Sequence, residues 1–173
     1  MNYTQVWDAL CQYVTQTFPE LQVRKQYAPL DDIEELAQGD RPAVWVKLSS
    51  CNIASVNTQA NYVEDSFTFQ LILVWKLRGN VNIPELDDKT NALQCFMTEF
   101  RHKGIKVGGV TLFFGLPTCD SPFDEDFIVS PGMFVSTVSV PVSVYRNLDL
   151  QPVTIQNENQ HVESPVETQS GEG

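Results

Sequence analysis

Between Phe67 and Leu77 the chain reads FTFQLILVWKL, and Phe67, Phe69, Leu71, Leu73, Trp75 and Leu77 recur at the two-residue period of a β-strand as one continuous apolar stripe. The alternate positions, Thr68, Gln70, Ile72, Val74 and Lys76, are polar at the ends and apolar in the middle. A single buried face accounts for the stripe. Ile72 and Val74 therefore call for a second cover.

The same alternation predicts a strand over Ala43–Val56, with Val44, Val46 and Leu48 on one side, and NTQANY reads as the turn that joins it to the first strand in a long β-hairpin. MFVSTVSVPVSVY alternates as well, with Phe134, Val138, Val140, Val142 and Val144 inward. Pro141 cannot donate to a ladder, which predicts an edge strand or a bulge there. IKVGGVTLFFGLP reads as one strand weakened by its glycines, and LQVRKQY as a short extended piece. Helical spacing appears twice. Val6, Leu10, Tyr13, Val14 and Phe18 share a face after Thr4, a candidate N-cap, and Leu93, Phe96, Met97 and Phe100 share another before Gly104, a candidate stop. APLDDIEELAQGDRP reads as a surface loop with one turn of helix at Asp32–Gln38.

Strands that follow one another without βαβ alternation predict an α+β fold: a mostly antiparallel β-sheet with a long β-hairpin and two α-helices packed on one face. The expected division is one domain over 1–148 and an acidic, polar C-terminal arm or flexible tail over 149–173. The second part lacks the aromatic content to order on its own. Within it only Pro152, Val153 and Ile155 have strand character.

Charge adds a constraint. The chain carries −11, with 22 acids against 11 bases, and phosphate contacts need clustered Lys and Arg, so a general nucleic-acid binder is disfavoured. Five of the acids (Asp149, Glu158, Glu163, Glu167 and Glu172) follow Arg146, with no Lys or Arg among them. No long apolar run and no basic leader with an apolar block are present, which points to a soluble protein made in a cytoplasm. Cys11, Cys51, Cys95 and Cys119 contain no CxxC pair and have no neighbouring His. They read as buried free thiols rather than zinc ligands or disulfides.

Candidate chemistry is sparse. His102 and His161 lack the neighbours of a catalytic base, and no GxSxG, HExxH or Walker-type loop occurs. Two acidic clusters, Asp31, Asp32, Glu34 and Glu35, and Asp120, Asp124, Glu125 and Asp126, could hold a hard cation but lack the alternating ligands and sixth-position Gly of an EF-hand. They read as solvated loops. KVGGV reads as a bulge or close backbone approach before it reads as a phosphate loop. The expectation is a non-enzyme with no catalytic, metal or cofactor-binding residues.

The order and wording of the elements carry more information. VWDALCQYVTQTF, a Pro-flanked variable loop, RPAVWVKL, SFTFQLILVW, NALQCFMTEFRHKG and MFVSTVSVPVSVYRNLDLQPVTI together resemble the tail-terminator or neck-terminator proteins of tailed bacteriophages, over Val6 to Ile155. The late strand running through Tyr145 into PVTIQN looks like the neck-terminator branch; the chain after Asn157 lies outside the resemblance. The resemblance implies a hexameric ring that caps the tail tube, stops its growth and joins it to the head-tail connector proteins. It also implies an anchor for a tail sheath where one exists, DNA passing through the lumen without specific binding, and a place in the virion neck after assembly in the host cytoplasm.

A ring member must bury lateral surface, so Ile72 and Val74 become candidate subunit-interface residues, with cover by the chain's own helix as the alternative. Pro152, Val153 and Ile155 become a candidate partner-binding arm. A body of this size is ~40 Å across, and the tail can extend to ~80 Å. Carboxylates lining the channel would repel DNA. Two other readings stay open: a different head-completion or baseplate adaptor, and a small enzyme or ligand-binding domain using the acidic loop 120–126.

Overall fold

The computed structural model describes residues 2–26, 41–57, 62–77, 83–101, 103–120 and 132–147. In chain order they form α1 (Tyr3–Thr17), β1 (Gln22–Lys25), β2 (Ala43–Asn57), β3 (Tyr62–Lys76), α2 (Ile83–Glu99), β4 (Gly104–Val107), β5 (Val110–Phe114) and β6 (Met133–Asn147). The strands make one six-stranded sheet in the order β1-β2-β3-β6-β5-β4. It is mixed: β1 runs parallel to β2, and the remaining neighbours are antiparallel. The class is α+β. Residues 27–40, 58–61, 78–82, 121–131 and 148–173 lie outside the described residues, and with them the expected hairpin turn, the helical turn at Asp32–Gln38 and the C-terminal arm.

Both helices pack on the same face of the sheet. Val6, Leu10 and Val14 of α1 and Leu93 and Phe96 of α2 join Phe67, Phe69, Leu71 and Leu73 of β3 and Val138, Val140, Val142 and Val144 of β6 in one core. The stripe along β3 is thus the seat of the helices. A fully buried Leu, Val or Phe side chain contributes ~1.5–3 kcal/mol, so this face supplies most of the fold's cohesion. Directional contacts fix α1 on it. The Trp7 indole N–H donates to the Val46 carbonyl at 3.0 Å, Lys25 forms an ion pair with Asp8, and Tyr13 meets Phe100 edge-on with ring centroids 5.8 Å apart.

Several local expectations are corrected. The N-cap of α1 is Asn2, not Thr4: the Asn2 side chain accepts from the Gln5 N–H at 2.9 Å while the Gln5 side chain accepts from the Asn2 N–H at 3.0 Å, a reciprocal capping box. Helix α2 ends at Glu99 through a tightened last turn, with Phe100 N–H bonded to the Met97 carbonyl. Gly104 opens β4 instead of stopping the helix. KVGGV is not a weakened strand. Gly108 and Gly109, at φ 56° and 82°, form the two-residue turn between β4 and β5, with the paired positive φ values of a type I′ hairpin turn.

Strand β6 is central, not an edge, and it tolerates Pro141 for a specific reason. The Pro141 carbonyl accepts from the Gly115 N–H at 2.9 Å, so its missing donor also faces the β5 side, where the β5–β6 pairing has just ended at Phe114 and Val142. A side chain at residue 115 would meet the proline ring: a Cβ there would lie 3.1 Å from Pro141 Cβ.

Candidate interaction surface

Strand alternation and the pairing register define a second face, turned away from the helices. Ile72 pairs across β3–β6 with Thr137 and across β2–β3 with Trp45, and Val74 pairs with Val135 and Ala43. Ile72 and Val74 are 3% and 2% exposed in the single chain, in a small cluster with Met133 and Val135 against a partly buried Trp45. The helices sit on the opposite face, but the pair is covered within the chain all the same. Both side chains are therefore buried in the single chain, on the face opposite the two described helices.

Free apolar surface lies at the other end of the same face. Tyr62 pairs with Asn147, Phe113 with Ser143, and Tyr145 lies two positions beyond Ser143 on the same side of β6. Their rings form a line across three neighbouring strands: Tyr62 meets Tyr145 edge-on at 5.3 Å and 89°, and Tyr145 meets Phe113 at 5.0 Å and 70°. Such edge-to-face pairs are each worth ~0.5–1.5 kcal/mol beyond area burial, which holds the rings in place. Phe113 and Tyr145 nevertheless remain 41% and 42% exposed. Gly104 makes room for the first of them, because a Cβ there would come within 3.2 Å of the Phe113 ring. Beside the aromatic line the Ser143 hydroxyl donates to Glu64 at 2.7 Å. Partial burial first, and then the Glu64 charge, push the Tyr145 phenol above its ordinary value. The Tyr145 phenol stays uncharged at neutral pH.

The charges on this face run against the chain as a whole. The described strand positions pointing away from the helices carry Arg24, Lys47, Lys76 and Lys106 and a single carboxylate, Glu64. Arg24, Lys76 and Lys106 are exposed, and among the described residues none of the four bases is in an ion pair. On the helix face the strand charges are matched: Lys25 with Asp8, and Arg146 with Asp65 at 2.9 Å. The reverse face therefore combines an exposed aromatic line with a net positive charge, in a chain of −11.

The other residues singled out by sequence converge on nothing comparable. Asp120 is exposed, while Asp31, Asp32, Glu34, Glu35, Asp124, Glu125, Asp126, His102, His161, Pro152, Val153 and Ile155 lie outside the described residues. Among the described residues no three His, Cys, Asp or Glu side chains are grouped to hold a metal ion, and no helix is long and apolar enough to cross a membrane. The cysteines are free, but the expectation of burial holds only in part, since Cys11 and Cys119 are partly buried and Cys51 and Cys95 are exposed.

Sequence reading missed Phe113 and Tyr145, although each breaks a pattern. Both are aromatic residues at positions where alternation calls for a polar one, after Thr111 in VTLFF and after Ser143 in VSVY. Compared with protein-family models, the chain matches no family, and it matches no curated protein.

Proposed function

We propose that this chain is a structural protein of a phage neck, a tail or neck terminator. It forms a hexameric ring on the finished tail tube, ends tube growth and presents a docking surface to the head-tail connector proteins, with a sheath anchored where one is present. The order of elements carries the reading: a helix, a short strand, two long paired strands, a second helix and late strands ending in the long β6, the order on which the resemblance rests. A ring subunit must also keep apolar surface for its neighbours, and the line from Phe113 to Tyr62 now takes the part first given to Ile72 and Val74. In this reading 1–148 is the ring domain and 149–173 its arm, and the protein works through interfaces, without catalysis.

Charge constrains how such a ring is oriented. A channel that lets DNA slide needs carboxylates on its wall, whereas Arg24 and Lys47 lie on the reverse face. That face therefore points to the side or outside of the ring and not into the channel. Electron microscopy of tails assembled with and without the protein tests the function. Over-long tubes, or tubes without heads, are expected in its absence; capped tubes of normal length without it would refute the assignment.

A further inference from the structure

The reverse face has the properties of a receptor for an acidic, partly apolar extended segment, and the chain contains one. We infer that the C-terminal segment after Asn147 of one copy lies across the reverse face of a neighbouring copy, with its apolar residues on the line Tyr62–Tyr145–Phe113 and its carboxylates beside the lysines. Charge complementarity comes first. The segment holds five acids and no Lys or Arg, and the face holds four bases against Glu64. Opposite potentials on two surfaces of one chain steer them together and fix their register.

The chemistry along the segment matches the layout of the face. Pro152, Val153 and Ile155 come first and four of the five acids follow, from Glu158 to Glu172. On the face, the exposed rings at one end give way to Lys106 on the neighbouring edge strand, Lys47 on β2 and Lys76 at the far end of β3. Extended, the segment reaches on the order of 80 Å, about twice the width of the body, so a neighbour's face is within range.

Exit geometry favours a neighbour over the segment's own subunit. At its end β6 is flanked on one side by β3, where Tyr62 pairs with Asn147, and on the other by β5, where Phe113 pairs with Ser143. To reach its own rings the chain would have to fold straight back after Asn147, because Tyr145 lies only two residues before the exit. Continuing outward needs no such turn. Ordering an acidic arm on a partner is also what its composition suits, since it cannot bury enough of itself to fold alone.

Isotope mixing of the full-length protein tests this. Unlabelled and heavy-nitrogen copies are combined, treated with a zero-length carbodiimide that joins carboxylates to lysine amines, and digested for mass spectrometry. The expected result is cross-linked peptides joining Glu158 or Glu163 to Lys76 or Lys106, with mixed heavy–light pairs making up about half of them, as random exchange requires. Tail-to-face links found only within one isotope, or no such links at all, would overturn the inference. The outcome is separable from the ring reading: capped tails without the protein refute the terminator and leave arm exchange standing, while missing mixed links do the reverse.

Discussion

Replacing Ile72 with alanine distinguishes a residue buried by its own chain from one waiting for a partner. The side chain is 3% exposed and packs with Val74, Met133, Val135 and the partly buried Trp45. Removing buried methylenes costs their transfer free energy plus the cavity left behind, ~2–5 kcal/mol for Ile to Ala. Among the described residues the cluster has four buried members and can partly collapse around the gap, which places Ile72→Ala near the lower end, at about 2–3 kcal/mol. For a chain of this length each kcal/mol moves the melting temperature by about 2–4 °C, so a fall of about 4–12 °C is expected. Urea unfolding followed by tryptophan fluorescence at two widely separated protein concentrations is the assay. The wild type and the variant should each give one midpoint, separated by the same amount at both concentrations. A loss below ~1 kcal/mol, or one that shrinks on dilution, would mean that a second molecule supplies the cover, and the assignment of this cluster to the monomer core would fail.

Other consequences follow from single contacts. Trp7→Phe removes the N–H that donates to Val46, a carbonyl that still accepts from the Gln26 N–H, and empties part of a buried site, so chemical denaturation should show a loss of ~1.5–3 kcal/mol. Asn2→Ala removes half of the α1 capping box and should cost ~0.5–2 kcal/mol by the same measurement, with Asn2→Ser close to neutral. Gly109→Ala meets nothing within 4 Å, so its thermal destabilisation, ~1–2 kcal/mol, should come from the positive φ alone. Burial above all, opposed by Lys25 and reinforced by Asp8, pushes the Cys11 thiol from 9.0 up to about 11. The folded state therefore resists ionisation that the unfolded chain undergoes: stability from this group is intact below pH 9 and is lost as pH rises to about 11. Wild type should lose more stability over that window than Cys11→Ala, and thiol labelling at neutral pH should modify Cys51 and Cys95 well before Cys11.

Legibility in the sequence followed the range of the signal. The faces of α1, α2 and β3 were readable because helical and strand periods are local, and Val6, Leu10, Val14, Phe96 and the stripe from Phe67 to Leu73 are buried together as their spacing implies. The cap was misplaced because Asn2 and Thr4 are both good caps, and the deciding residue is Gln5, three after Asn2. VGGV was misread because its flanking β-branched residues suit one strand as well as two. The missing donor of Pro141 is visible in the sequence, but which neighbouring strand it faces is set by the sheet order. The packing around Ile72 is out of reach of local spacing: Met133 and Val135 are distant in sequence and arrive beside it only through the β3–β6 register. The same holds for the positive face, whose bases come from four different strands.

That face ties the two proposals to a single arrangement. Four bases on one side of a sheet repel one another, and with no ion pair among the described residues an acidic neighbour would stabilise them. A ring that turned them toward passing DNA would hold the phosphates and slow ejection, since each neutralised phosphate strengthens binding in a salt-dependent way. A ring that turned them sideways would bring each face against the next subunit, within reach of that subunit's acidic segment. The repulsion inside one subunit would then be relieved by its neighbour, and the uncovered rings of Phe113 and Tyr145 would be buried in the same step. The orientation that keeps the channel slippery is thus also the one that allows arm exchange, and a density map of an isolated ring would expose both ideas to the same test through the positions of Lys47 and Lys106.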